Sequence, residues 1–323
     1  MSTTLGQAGM EDVFSEEGQA NNPLGEALLD LAHRDEEVVV LSVDLSTAIA
    51  SLRKAYPQRC FEMGIAENNT VSVAAGLAAV GYRPYILGLA PFGVLKCAEQ
   101  IRTDLAATNL PVRLIERLSG LAMGYFGPSH HAIEDIAIAR SITNLVVTAA
   151  ADGNAVRGLL DSTFDVEGPV LVRVSEATET VYEDVPHFEF GRFHKVLPGT
   201  DLTIIGCGCG VGLAVRAAEL LRSEGHSVRV LDAAYLKPLD EAAILEAARE
   251  TGAILTVEEH SEVGGLGAAV SEVLGRNGVL AKLDVLALPD ERLVVGQPAA
   301  LMEHYDLTTS GVKTRALRLL GIS

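Results

Sequence analysis

The sequence predicts an α/β fold made of two parallel-sheet, three-layer domains, and three observations lead there. Strand-like and helix-like patterns alternate through most of the chain, as βα units require. The strand-like runs are almost continuously apolar, as in EVVVLSVDL at residues 37–45, which fits strands buried on both faces of a parallel sheet. The alternation breaks once, between Glu176 and Thr200, where the chain turns acidic, then aromatic, then Pro-Gly. That break separates two α/β units.

Taken in order, residues 1–19 are polar, glycine-containing and aperiodic, and are expected to be a flexible arm. The first domain is assigned to residues 20–178. PLGEALLDLAHRD is an amphipathic helix, EVVVLSVDL a strand, ASLRKAYP a short helix and RCFEMG a short strand. A helix from Glu67 follows, ended by Gly81, then the strand RPYILGLA. VLKCAEQIRTDLAAT has apolar residues at helical spacing, LPVRLIERL is a strand, and AIEDIAIARSI a helix. NLVVTAAA, DGNAVRGLLDSTF and GPVLVRVS complete the domain as strand, helix and strand. Residues 179–198 are a linker expected to hold a short hairpin. The second domain, residues 199–323, reads as DLTIIGCG strand, GVGLAVRAAELLRSEG helix, HSVRVLDA strand, DEAAILEAARETG helix, AILTVEEH strand, GGLGAAVSEVLGRNG helix, KLDVLAL strand and a C-terminal helix.

Composition narrows the function. Of 323 residues, 48% are hydrophobic and 21% charged, so the chain can bury substantial cores. Acidic residues number 43 against 25 basic ones, a formal charge of −18. That balance argues against nucleic acid, whose phosphates call for clustered Lys and Arg. The four cysteines, at 60, 97, 207 and 209, form no C-x-x-C pair and suit neither zinc nor a disulfide framework, which points to a reducing cytoplasm. No apolar run reaches the ~18 residues of a membrane span, and no signal-like N-terminus is present.

Glu67 is the first puzzle. It opens an apolar, small-residue helix with no Lys or Arg within four residues on either side. An acid in a first turn complements the helix dipole. A carboxylate in an apolar site can instead have a raised pKa and exchange a proton with a ligand. Three other stretches invite functional readings. IIGCGCGVGLA (204–214) follows a strand and opens a helix, with Asp232 ending the next strand, but its glycines run G-x-G-x-G-x-G and no register gives a dinucleotide fingerprint. A tight, closely packed turn is the simpler reading. GPSHHAIEDI places His130 and His131 before a helix, after a glycine-rich loop. Adjacent histidines rarely share one ion, so no metal site is expected, and His130 is a candidate for proton handling. VEEHSEVGGLG (257–267) carries acids and His260 at a strand end, which reads as a solvated edge near a subunit contact.

Taken together, these stretches resemble the transketolase family of thiamine-diphosphate enzymes. GIAENNTVSVAAGLAAVGYRPYI resembles the segment bearing the family's glutamate. APFGVLKCAEQIRTDLA follows in family order, GPSHHAIEDIAIARSI resembles the GPTHQ loop, and LKPLDEAAILEAA with VEEHSEVGGLGAAVSEVL resembles the C-terminal domain. The resemblance covers residues 20 to 323 and implies a pyrimidine-binding domain followed by the transketolase C-terminal domain. It gives Glu67 the role of hydrogen-bonding N1′ of the cofactor's aminopyrimidine, with a pKa raised by an apolar pocket. It implies that Phe92 stacks on the pyrimidine, that Leu45 helps bend the cofactor, and that Asp44 is a carboxylate near it. His130 would face the substrate and handle protons, with His131 and Phe126 beside it.

The family's GDG…N motif, which binds diphosphate and a divalent metal, is absent from the sequence. The resemblance therefore implies the second half of a split transketolase. A partner subunit would supply the motif and most of the Mg2+ binding, in an α2β2 heterotetramer. Phe126 stands where sugar-phosphate transketolases have an Asp that contacts an acceptor hydroxyl. Ala48 replaces a family serine, Glu176 (with Arg173 close by) an arginine, and Leu118 a histidine. A ketose donor and an altered acceptor, a specialised sugar or a carrier-bound group, are expected. The alternatives are a 2-oxo-acid dehydrogenase β-subunit passing a two-carbon unit to a lipoyl or carrier-protein acceptor, and a non-catalytic regulatory subunit. Glu67, Phe92 and His130 argue against the latter.

Overall fold

Residues 23–175 and 180–322 are described in the computed structural model. The expected arm and Glu176 lie outside the described residues. The first unit runs α1 (Pro23–Arg34), β1 (Val38–Ser42), α2 (Ala50–Ala55), β2 (Cys60–Glu62), α3 (Glu67–Ala79), β3 (Arg83–Leu89), α4 (Ala90–Gly93), α5 (Ala98–Gln100), β4 (Arg113–Arg117), α6 (Asp135–Ser141), β5 (Val146–Ala150), α7 (Gly153–Ser162) and β6 (Val170–Val174). The second runs β7 (His194–Leu197), β8 (Leu202–Gly206), α8 (Gly210–Ser223), β9 (Val228–Asp232), β10 (Tyr235–Lys237), α9 (Glu241–Thr251), β11 (Ala253–Ser261), α10 (Leu266–Asn277), β12 (Lys282–Leu288), α11 (Pro298–His304) and α12 (Thr309–Leu320).

Among the described residues the first sheet has the order β10-β5-β6-β4-β3-β1-β2 and the second β12-β11-β8-β9-β7. Both are parallel except at one edge strand each, β10 and β7. The apolar runs become fully buried strands, as in VVVLS of β1 and VLVRV of β6. Helix starts follow capping chemistry: Asp152 accepts from Ala155 N at 2.8 Å, and Asp240 from Ala243 N at 3.0 Å. Helices α9 and α10 stop at Gly252 and Gly278, both left-handed.

Several details depart from the expectation. The single helix expected over residues 94–108 is the short α5 running into a wider π turn, Ile101–Ala106. At its start Asn68 Nδ2 donates to the Lys96 carbonyl (2.9 Å) and to Gln100 Oε1 (2.6 Å), which ties this segment to α3. The linker holds no hairpin among its described residues, because β7 pairs antiparallel with β9 of the second sheet instead. The first sheet also gains β10 from the second unit, antiparallel to β5, with Tyr235 fully buried. The C-terminal helix is two, α11 and α12.

Candidate active site

A parallel sheet gathers its loops at the carboxyl ends of its strands, and helix N-termini open there. The loops after β1, β2, β3 and β4 carry nearly every candidate residue. After β1, Leu45 is buried and its N–H donates to Ser42 Oγ (3.0 Å). Asp44 is exposed, with φ 58°. The side chain of Glu62, at the end of β2, accepts from Asp44 N (2.9 Å) and Gly64 N (3.1 Å), so one carboxylate fixes two of these loops.

Glu67 is the first residue of α3, and only 5% of its side chain is exposed. It is not bare. Lys96 Nζ, from the segment after β3, donates to Glu67 Oε2 at 2.7 Å, while half of the Lys96 side chain stays in solvent. Burial pushes the Glu67 carboxyl upward, but the hydrogen bond and charge of Lys96, with the backbone N–H of Glu67, leave it below its ordinary value. The expected raised pKa is therefore corrected: in this chain alone Glu67 is a carboxylate. The partner comes from 29 residues further on.

Phe92 is half-buried, and its ring meets that of His130 edge-on, with centroids 5.2 Å apart. His130 also lies against Phe126 at 4.6 Å, and Phe126 against Tyr125 at 4.7 Å. Phe126 is 52% exposed. His130 Nδ1 is 2.9 Å from Ser129 Oγ. Burial and the neighbouring His131 lower its pKa, so it is neutral at pH 7. His131 turns inward: it is buried, with Nε2 3.4 Å from the Gly124 carbonyl. Leu118, at the start of this loop, is buried with φ 55°.

Of the expected solvated strand end at residues 257–267, the part on β11 through Ser261 is instead buried and supports the site, while Glu262 and Val263 are exposed. Glu258 accepts from Leu266 N (2.6 Å) and Gly267 N (2.7 Å), capping α10. Glu259 accepts from Leu121 N (2.8 Å) and so pins the loop that carries His130. Gly120, at φ 67°, lies so close to Glu259 that any Cβ would overlap its side chain. Arg173 donates to Asp135 Oδ2 (2.7 Å), to the Glu259 carbonyl (2.8 Å) and to the Ala132 carbonyl (3.2 Å), joining β6, β11 and the start of α6. The glycine run after β8 is a tight turn: a Cβ on Gly210 would collide with the Val257 backbone. Asp232 is buried beneath Tyr182, whose hydroxyl donates to it at 2.7 Å.

Two residues beside Glu67 escape a reading of the sequence. One is Lys96. The other is Glu116, on β4, fully buried with neither carboxyl oxygen hydrogen-bonded. In the strand VRLIERL the arginines at 113 and 117 make an acid between them look like an ordinary charged neighbour, so the sequence carries no clear signal for Glu116. Among the described residues no group of three or more His, Cys, Asp or Glu is placed to hold a metal, and no helix is long and apolar enough to cross a membrane.

Comparisons with known proteins agree with this architecture. The family described as transketolase, pyrimidine binding domain, matches residues 19–179, and that described as transketolase, C-terminal domain, matches residues 191–312. A Phocaeicola vulgatus protein, named as one subunit of an apulose-4-phosphate transketolase, is 38% identical over 300 residues, covering 91% of this chain and 95% of that protein. A 1-deoxy-D-xylulose-5-phosphate synthase of Heliobacterium modesticaldum is 36% identical over 299 residues, and there the chain spans 46% of the relative's length. A solved split-gene transketolase, described as an inactive beta4 tetramer, superposes with a TM-score of 0.86 at 36% identity, covering 93% of this chain and 98% of that one. A Pichia stipitis transketolase at 19% identity shares the fold, with a TM-score of 0.74 over 93% of this chain. The α/β architecture, the two matched domains and the full-length relatives lead to one conclusion: the chain belongs to the transketolase family.

Proposed function

We propose that this chain is the pyrimidine-binding and C-terminal subunit of a split, thiamine-diphosphate-dependent transketolase. It moves a two-carbon ketol unit from a ketose phosphate to an aldehyde or to a specialised or carrier-bound acceptor. The observation that carries this reading is a buried carboxylate opening α3 at the carboxyl edge of a parallel sheet, beside an aromatic–histidine cluster. The names of two relatives matched over nearly their whole length, an apulose-4-phosphate transketolase subunit and a split-gene transketolase, support it.

The residues present suit the cofactor's chemistry. Glu67 offers an oxygen to hold a proton at the aminopyrimidine N1′, Phe92 offers an apolar ring to cover that pyrimidine, and Leu45 offers an apolar contact. Asp44 adds a carboxylate close by. When bound, thiamine diphosphate supplies the electron sink for the two-carbon fragment. Neutral His130 can take or give a proton at a substrate hydroxyl. Phe126 presents a ring that neither donates nor accepts, so an acceptor hydroxyl loses a partner there. The relatives named as a transketolase subunit and as a split-gene transketolase support a partner subunit that provides the diphosphate and Mg2+ site in an α2β2 assembly. The four free cysteines support a cytoplasmic setting.

The test pairs calorimetry with reconstitution. The chain alone is expected to bind thiamine diphosphate and Mg2+ only weakly and to show no turnover. With a GDG…N-bearing partner it is expected to transfer from a ketose phosphate, apulose 4-phosphate being the first donor to try. Ribose 5-phosphate should be about ten- to hundredfold poorer than in an ordinary transketolase, the worth of a lost charged hydrogen bond of about 1.5–3 kcal/mol. Micromolar cofactor binding by the chain alone would contradict the split architecture. Ordinary turnover with ribose 5-phosphate would contradict the role given to Phe126.

A further inference from the structure

Glu116 lies near the carboxyl end of β4, between Gly88 of β3 and Arg173 of β6 in the parallel register. Residues level with one another on parallel strands point to the same face, so its side chain rises under the loop after β3. That loop is shaped around it. A Cβ on Gly93 would overlap both carboxyl oxygens, and one on Gly88 would come within 3.0 Å of Oε2. Gly93 sits between Phe92 and Lys96, so the carboxyl underlies the segment that presents the ring and the counter-ion of Glu67. The charges around it are committed elsewhere. Lys96 is bonded to Glu67. Arg173, on the same face, is bonded to Asp135 and to backbone carbonyls. Buried Cys97 adds no charge, since its thiol is pushed up to about 12. The remaining acids near Glu116 are Asp135 on one side and Glu67 on the other, and both oppose its ionisation. One oxygen of Asp135 is likewise without a hydrogen-bond partner.

A buried carboxylate with no donor and two acidic neighbours is the costliest form this side chain can take; the neutral acid is the cheap one. We propose that Glu116 is a second acid of the site, kept uncharged beneath the Phe92–Lys96 segment, where it acts as a positioning residue that keeps a further negative charge away from Glu67. Burial and then the charges of Asp135 and Glu67 push its carboxyl up to about 8, so the uncharged form holds through neutral pH. Once Glu116 ionises, its charge raises the proton affinity of Glu67. The consequence for catalysis rests on the function proposed above; the coupling itself does not.

The sign of the pH effect follows from linkage. A carboxyl whose folded value lies above its ordinary 4.5 stabilises the fold fully below that value, and the contribution is lost as pH rises through about 8. Gln in its place has no proton to lose. The experiment uses the full chain without cofactor, as wild type, Glu116→Gln, Glu67→Gln and the double variant, in thermal unfolding from pH 5 to 9. The Tm of Glu116→Gln is expected to rise relative to wild type across this range and to level off above pH 8. That gain is expected to be smaller when Glu67 is already Gln, because one of the opposing charges is gone. Infrared difference spectra, wild type minus Glu116→Gln, should show a free-acid carbonyl band at pH 7 that fades by pH 9. Asp232 and Glu258, both raised to about 7, add free-acid signal to a spectrum of wild type alone, so Glu116→Met serves as a second reference for the same difference band if Glu116→Gln fails to fold. A gain independent of pH, the same gain in both Glu67 backgrounds, or no free-acid band at pH 7 would overturn the proposal. None of these readouts involves thiamine diphosphate, so their failure is separate from failure of the cofactor reading.

Discussion

Glu67 and Lys96 form a pair that only the folded chain creates, and the pair decides the charge of the site before any ligand arrives. Lys96 stands half in solvent on a flexible stem, and its ammonium occupies the carboxylate that the proposed function assigns to a ring nitrogen. Lys96→Met is expected to raise the Glu67 carboxyl from its lowered value, because burial then acts without its main opponent. NMR titration of the Glu67 side-chain carbon measures this directly, and an unmoved midpoint would show that Lys96 does not set it. A carboxyl held below its ordinary value contributes stability above that value and loses it as pH falls through the folded one. Lys96→Met should therefore soften the loss of Tm below about pH 4.5. At this scale the sequence was half legible. An acid in the first turn of an apolar helix was visible, while Glu116, flanked by arginines at 113 and 117, drew no reading. The partner of the first and the isolation of the second depend on residues brought in from β3, α6 and β6, which local pattern cannot show.

Among the elements, β4, β6 and β11 hold the loop that carries His130 and Phe126. The hub is the Arg173–Asp135 pair, both members buried, with Glu259 fastened to Leu121 beside it. Arg173→Met removes one partner and leaves the Asp135 charge buried without it. The expected cost is about 3–5 kcal/mol, read as a large fall in Tm. The double variant Arg173→Met, Asp135→Asn should recover part of that loss, since no uncompensated charge remains. A loss below about 1 kcal/mol would mean that the pair is dispensable. The buried parallel strands were legible because an apolar run bounded by turn residues has few other meanings. Strand β10 was not: three residues between Asp232 and Pro238 carry no period, and what makes them a strand is the exposed edge of β5 from the other unit. The π turn after α5 is likewise not local in its contacts, since Ser72 Oγ on α3 donates to Asp104 Oδ2 within it at 2.7 Å. The acids of residues 257–261 read as solvent-facing by composition, yet the loop after β4 and the start of α10 cover them.

At the scale of the whole molecule, the second unit adds β10 to the first sheet and a buried polar seam runs through Arg173, Glu259 and Asp135, so the loops of the site rest on both units. Several apolar side chains remain exposed on the surface near the site, among them Phe61 at 41% and Ile65 at 77%, on the short stretch leading into α3. They suit a chain that works within an assembly. Under the proposed function Glu67 handles a proton rather than merely complementing a helix dipole. Gln is nearly isosteric and still hydrogen-bonds, but it cannot transfer a proton. If Glu67 only served the helix, Glu67→Gln would cost at most about 1 kcal/mol of stability and leave the chemistry alone. General acid–base groups contribute about 10²–10⁴-fold. The deciding measurement is hydrogen–deuterium exchange at C2 of thiamine diphosphate in the reconstituted complex, wild type against Glu67→Gln, with cofactor saturation verified for both. The expected result is exchange slowed by about 10²-fold or more with assembly intact; an unchanged exchange rate would contradict the assignment and make Glu67 a structural acid.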